Sequence, residues 1–247
     1  ENDVEFLRTT YKDLKKKDPV VLREDFCGTF AICCEWVKLN KEFQAIGVDL
    51  DPDPISYGRE NYLSQLEPSE QNRVEVVEKD VTAGELPKAD LVAALNFSYF
   101  TFKERAVMKK YFQNCFDSLA EDGIFILDCF GGSQCYEANE EETEFEDEKF
   151  SYFWDQDNFD PVTNGARFHI HFKRKGEKKR ERVFSYDWRM WSIPELRDIL
   201  GEVGFEKIQV YWEGTTKDGE GDGNFKPVQE GEECESWIAY IVCEKST

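Results

Sequence analysis

Positive charge is the first thing this chain has little of: 31 Lys and Arg stand against 52 Asp and Glu, a formal net charge of −21. Nucleic-acid binding draws much of its free energy from neutralising phosphates with Lys and Arg, so no nucleic-acid partner is expected. The one dense basic run, 173–182, is interrupted by Glu177 and Glu181 and reads as a solvated hairpin turn. Long apolar runs are missing too. Nothing approaches the roughly 20 consecutive apolar residues that span a bilayer, so no membrane partner is expected. Residues 1–6 are acidic and lack the basic-then-apolar form of a secretion signal. Histidine occurs only twice, and the eight cysteines form no CxxC pair, which removes zinc-ribbon and thioredoxin readings; no metal is expected. Several cysteines sit in apolar runs, where a free thiol acts as a small hydrophobe. That suits a reducing compartment, and a cytoplasmic location is expected.

What is present suffices for one core. With 40% hydrophobic residues over 247 positions, the chain reads as a single domain, 1–247. Its first half alternates strand-like runs at 20–24, 45–48, 74–77, 91–95 and 124–127 with helical patterns, which predicts βαβ units and a mainly parallel sheet. Ahead of them, Val4, Leu7, Tyr11 and Leu14 share one side of a short helix, which either packs on the core or forms a lid. The pattern changes after Asp128. Residues 137–149 are acidic and read as a loop. Three trios at alternate positions follow: Phe150, Tyr152, Trp154; then Phe168, Ile170, Phe172; then Phe184, Tyr186, Trp188. Period two puts each trio on one face of a strand, so 137–190 reads as a three-stranded antiparallel insertion. A helix at 194–203, a strand at 208–212, a Gly- and Asp-rich loop at 214–233 and a last strand at 237–243 complete the chain.

Ligands of open α/β sheets bind beyond the carboxyl ends of the strands. Strand one ends in Arg23-Glu24-Asp25-Phe26-Cys27-Gly28-Thr29-Phe30, strand two in Asp49-Leu50-Asp51, strand three in Lys79-Asp80-Val81 and strand four in Asn96-Phe97-Ser98-Tyr99. A dinucleotide pyrophosphate needs the spacing GxGxxG, and only Gly28 is present here. Glu24 and Asp25 would also set negative charge beside phosphates. S-adenosylmethionine (SAM) reverses that logic, because it has no phosphate and carries an ammonium and a sulfonium. An NAD-dependent oxidoreductase is therefore disfavoured. Asp49, 21 positions after Gly28, stands where a carboxylate meets ribose hydroxyls and can accept two hydrogen bonds. Asp80 is placed to accept from an adenine amino group.

With residues 22–30, 47–51, 79–81 and 123–128, the chain resembles the motif series of class I SAM-dependent methyltransferases over nearly its whole length. Within that superfamily it looks like a subgroup marked by the Glu-Asp-Phe-Cys-Gly-Thr loop, the segment 95–100 and Tyr186-Asp187-Trp188-Arg189. The resemblance implies an α/β fold: a seven-stranded Rossmann-like sheet, mostly parallel with an antiparallel edge hairpin, helices on both faces and the insertion after strand five. It implies SAM as cofactor and S-adenosylhomocysteine (SAH) as product. Glu24 or Asp25, Cys27 and Gly28 would border the methionine part, Asp49 with Leu50 the ribose, Asp80 and Val81 the adenine, and Asn96 and Phe97 the methyl-donor region. Arg23 either pairs with the SAM carboxylate or forms a structural salt bridge. Phe30 departs from the usual small residue.

The segment Asn96–Tyr99 sits where amine-methylating families carry Asn-Pro-Pro-Tyr, and both prolines are missing. The insertion is the expected substrate element, with Tyr99, Tyr152, Trp154, Tyr186, Trp188 and Arg189 as candidate contacts. Its aromatic trios either pack on the main sheet or reach the pocket. His169 and His171 alternate with the trio on their strand and point to the opposite face. The expected function is methyl transfer from SAM to a small-molecule O or N acceptor; the alternative is a SAM-binding regulatory or accessory protein without activity. Neither a catalytic base nor an oligomeric state is assigned.

Overall fold

The computed structural model describes residues 2–145, 149–216 and 221–245. Its core is a sheet covered on both sides by apolar side chains, as a mainly parallel sheet requires. β1 (Val21–Asp25), β2 (Gln44–Asp49), β3 (Val74–Glu78), β4 (Ala89–Ala94) and β5 (Leu119–Gly131) are separated by α2 (Ala31–Leu39), α3 (Pro52–Asn61), the single turn α4 (Pro68–Gln71) and α5 (Arg105–Ser118), with α1 (Asn2–Lys15) ahead of them. β3, β2, β1, β4 and β5 are mutually parallel neighbours in that order. α6 (Ile193–Val203) starts at a capping box of Ser192 and Glu195 and leads into β10 (Lys207–Thr215), β11 (Gly221–Val228) and β12 (Trp237–Glu244). β12 runs antiparallel between β5 and β10.

Two apolar cores sandwich the sheet. Val4, Leu7 and Tyr11 of α1 join Cys33, Trp36 and Val37 of α2 on one face, so α1 is a packed element of the core. Met108, Tyr111 and Phe112 of α5 and Leu196, Ile199 and Leu200 of α6 cover the other. No helix among the described residues is long and apolar enough to cross a membrane.

Two expectations need correction. Among the described residues the main sheet has eight strands, not seven, in the order β11-β10-β12-β5-β4-β1-β2-β3. The extra strand, β11, lies in the run 214–233, which its Gly and Asp content marks as a loop. It pairs with β10, and Phe225 anchors it against Phe6 and Tyr240. The insertion is likewise a separate sheet of four strands, ordered β6-β7-β8-β9: β6 (Asn139–Phe145), β7 (Phe150–Asp160), β8 (Gly165–Arg174) and β9 (Arg180–Arg189). Its added strand, β6, is the acidic run. As an edge strand it keeps its carboxylates in water, while Phe145 stacks on Phe150 at 4.8 Å. Residues 146–148 of the predicted acidic loop and 217–220 of the Gly-rich one lie outside the described residues.

Candidate active site

Strand alternation sorts the charged end of β1. Leu22 and Glu24 face α2, while Arg23 and Asp25 face α5. Arg23 is fully buried, with Nε and Nη2 on the two oxygens of Asp25 at 2.8 and 3.1 Å. Its Nη1 donates to the Pro87 carbonyl and Ser118 Oγ, and Tyr111 donates to Asp25 at 3.1 Å. Of the two readings of Arg23, the geometry gives the structural salt bridge. Asp25 is occupied by the same bridge, so neither side chain stands at the rim where a ligand contact was expected.

Glu24 is different. It is 5% exposed, and it accepts from Cys33 through both the thiol, at 3.2 Å, and the backbone. Burial pushes its carboxyl up to about 8 from an ordinary 4.5, the Cys33 hydrogen bond opposing and the charges of Asp49 and Asp25 adding to the rise.

The loop after β1 places every second residue in the left-handed region: Phe26 at φ 58°, Gly28 at 51° and Phe30 at 46°. For a non-glycine residue this conformation costs about 1–2 kcal/mol. Packing offsets it. Phe30 is fully buried, and the Phe26 ring lies against Phe102 and Tyr111. Phe30, the apparent departure from the family pattern, therefore has a glycine-like backbone after all. The loop sits so close to α3 that a Cβ on Gly58 would come within 2.2 Å of the Thr29 carbonyl oxygen. Cys27 is buried, its amide bonded to the Val48 carbonyl and its thiol against Gly47.

Asp49 ties this loop to β2. One carboxylate oxygen accepts the Gly28 N–H at 2.7 Å and the other the Asp51 N–H at 2.9 Å. Leu50 beside it is 66% exposed. At the end of neighbouring β3, Asp80 is exposed and accepts from the backbone and hydroxyl of Thr82, while Val81 is buried. The Lys79 N–H bonds the Asp49 carbonyl, which brings the two tips together.

β4 ends in two consecutive left-handed residues, Asn96 at φ 57° and Phe97 at 55°. Both amides donate to the buried Asp128 carboxylate, at 2.6 and 2.9 Å. Burial raises Asp128 to about 7 from 3.8, the bonds from Phe97 and Asn96 opposing the rise. Asp128 holds the turn that carries Phe97, a role absent from the sequence-based expectations. The available signal was a further acid at the carboxyl end of β5. Tyr99 needs correction as a substrate contact: it is fully buried and its hydroxyl donates to the Asp128 carbonyl at 2.6 Å.

Beyond Asn96 and Phe97 the two sheets border an open cavity of about 620 Å³. Tyr152, Trp154, Tyr186 and Trp188 line it with Phe130, Phe172 and Phe184. The inner members of the trios, Phe168 and Trp188, also pack into the main core, so the aromatic face serves both purposes. Phe130 and Glu141 line the cavity without having been singled out; Phe130 lies on the extension of β5 past Asp128 and Glu141 on the strand mistaken for a loop. Arg189 also needs correction as a substrate contact: it points away, donating to Glu195 and the Lys103 carbonyl and lying over Trp191 at 3.8 Å.

His169 and His171 face the side of the small sheet opposite the cavity. Among the described residues, Glu140, Asp155 and His171 bring three potential metal ligands together. His171 Nδ1 accepts the Arg182 amide at 2.7 Å, which leaves the ring proton on Nε2, donated to Asp155 at 3.0 Å. Lys179 occupies Glu140 at 2.5 Å. These bonds make the cluster a charge network with its ligand atoms already engaged.

No protein-family model matches the sequence, and neither does any curated protein. Solved structures do match. A SAM-dependent methyltransferase from Clostridium acetobutylicum is similar at 17% identity and TM-score 0.69, covering 100% of this chain and 91% of its own. CcbJ methyltransferase from Streptomyces caelestis is 16% identical at TM-score 0.69, covering 97% and 94%. CalS10, a SAM-bound amino pentose methyltransferase from Micromonospora echinaspora, is 14% identical at TM-score 0.70, covering 99% and 91%. The chain thus has the fold of class I SAM-dependent methyltransferases.

Proposed function

We propose that this chain is a SAM-dependent methyltransferase acting on a small-molecule O or N acceptor and releasing SAH. The observation that carries the reading is Glu24. A carboxyl group almost sealed from water, with only the Cys33 thiol and backbone donating to it, lacks a positive partner, and the ammonium of SAM is one. Cys27 and Gly28 border the same methionine part. Asp49 and Leu50 are assigned to the ribose, Asp80 and Val81 to the adenine, and Asn96 with Phe97 to the boundary between cofactor and acceptor. Tyr152, Trp154, Tyr186 and Trp188 form the acceptor side, with 137–190 capping the single domain 1–247. The acidic rim opposes a pyrophosphate, which argues against NAD. The amino pentose methyltransferase among the structural neighbours supports a small acceptor.

When bound, SAM supplies a methyl group activated for in-line displacement. The chain then contributes alignment and a water-poor wall. Glu24 anchors the amino-acid end, Asp128 holds the Asn96–Phe97 turn in place, and the aromatic face keeps water from the acceptor. Methyl transfer from radiolabelled SAM to small-molecule extracts, with SAH measured alongside, tests this. Label entering only protein or RNA would refute the small acceptor. SAM binding without SAH from any acceptor class would favour the inactive SAM-binding alternative.

A further inference from the structure

We infer that the acceptor is a small hydrophobic amine that enters the cavity as a cation, an inference resting on the methyltransferase reading. The cavity is lined by the aromatic side chains of Tyr152, Trp154, Tyr186 and Trp188, with Trp188 itself mostly covered and stacked on Tyr186 at 4.6 Å. Its charged lining among the described residues is one carboxylate, Glu141; no Lys or Arg takes part. Elsewhere, aromatic rings already hold the protein's own cations. Arg8 lies over Phe43, Lys179 over Phe153, Arg189 over Trp191 and Lys245 over Phe116. None of those four rings lines the cavity.

Strand alternation produces this separation. Arg189 follows Trp188 directly yet lies on the opposite face. Lys179 covers Phe153, the neighbour of Tyr152 and Trp154 that points away from the cavity. Arg174 and Arg180 line a separate hollow that shares Phe172 with the cavity, and Arg180 is paired with Glu177 at 3.1 Å. Among the described residues no Lys or Arg lies over an aromatic ring that lines the cavity, which leaves this aromatic lining for a cation from outside. An anionic acceptor would meet Glu141 and the electron-rich rings without a counter-ion, and a neutral one would gain from apolar contact alone. A cationic amine gains from both the rings and the carboxylate. For transfer it gives one proton to solvent. The freed nitrogen lone pair then forms the N–C bond as the donor's S–C bond breaks.

The test uses the full chain saturated with SAH and three probes of one shape: 2-phenylethylamine, 2-phenylethanol and 3-phenylpropanoate, each titrated by calorimetry. The amine is expected to bind about tenfold or more tightly than the alcohol, with the propanoate weakest. Trp154→Leu and Glu141→Gln should each narrow the gap between amine and alcohol while SAH affinity stays unchanged. Alcohol or propanoate matching the amine, no binding of any probe, or a gap that survives both substitutions overturns the inference. Amine preference in a protein that does not bind SAH would instead overturn the cofactor reading and leave the cavity assignment standing.

Discussion

Replacing Glu24 by Gln should stabilise the ligand-free protein at alkaline pH and weaken SAM binding, because the same buried charge opposes folding and attracts the cofactor. The fold raises this carboxyl to about 8 from 4.5. For an acid raised on folding, its stability contribution is complete below the unfolded value and is lost as pH climbs through the folded one. The window is therefore pH 4.5 to 8. Each pH unit inside it costs about 1.4 kcal/mol, so the whole span amounts to up to about 5 kcal/mol. Asp128, raised to about 7 from 3.8, acts in the same direction at slightly lower pH and remains in the variant. Urea unfolding from pH 5 to 9 should show the wild type losing stability and Glu24→Gln losing less, so that the variant is the more stable at pH 9 by a few kcal/mol. SAM affinity should move the opposite way. It should tighten by up to tenfold per pH unit until about pH 8, where the ligand's own amino group starts to lose its proton. Wild-type stability that is flat across this range, or a variant with an unchanged slope, would refute the reasoning.

Three further outcomes follow from the geometry. Asp49→Ala should weaken SAM binding by about 1–3 kcal/mol in calorimetry, the range for losing hydrogen bonds to a charged group; unchanged affinity in a folded variant would remove Asp49 from the ribose. Arg23→Leu should destabilise the protein by about 3–5 kcal/mol in denaturant unfolding, since it leaves Asp25 buried without its partner. Gly58→Ala should lower stability by about 1–3 kcal/mol, because the new methyl meets the Thr29 carbonyl, a backbone atom that cannot step aside cheaply. A Tm equal to wild type would show that the loop after β1 is looser than described.

The central strands and their acidic ends were legible because β2, β4 and the 124–127 stretch of β5 are apolar runs buried on both faces, with Asp49, Asn96 and Asp128 where those runs stop, while β1 starts apolar and carries its charges within the strand. The aromatic face was legible for a related reason: period two survives any packing of the small sheet. β6 and β11 were not, since each is an edge strand whose polar sequence is held by pairing to a distant neighbour rather than by its own pattern. The left-handed Phe26 and Phe30 run against local preference and exist because tertiary packing holds their rings. Arg23 and Asp25 stand two apart on one strand, a spacing that puts both on one face and offered the signal for their salt bridge. Tyr99 and Arg189 were misplaced because a short helical turn and a strand's alternation decide where they point.

The claim beneath all of this is that the acidic rim formed by Glu24, Asp49 and Asp80 accepts a cationic nucleoside. Titrating the purified protein with SAM and NAD in parallel, by calorimetry at pH 8, tests it most directly. Saturable binding of SAM that fails in Glu24→Gln, with no heat from NAD, is the predicted result. Binding of NAD in place of SAM would contradict it.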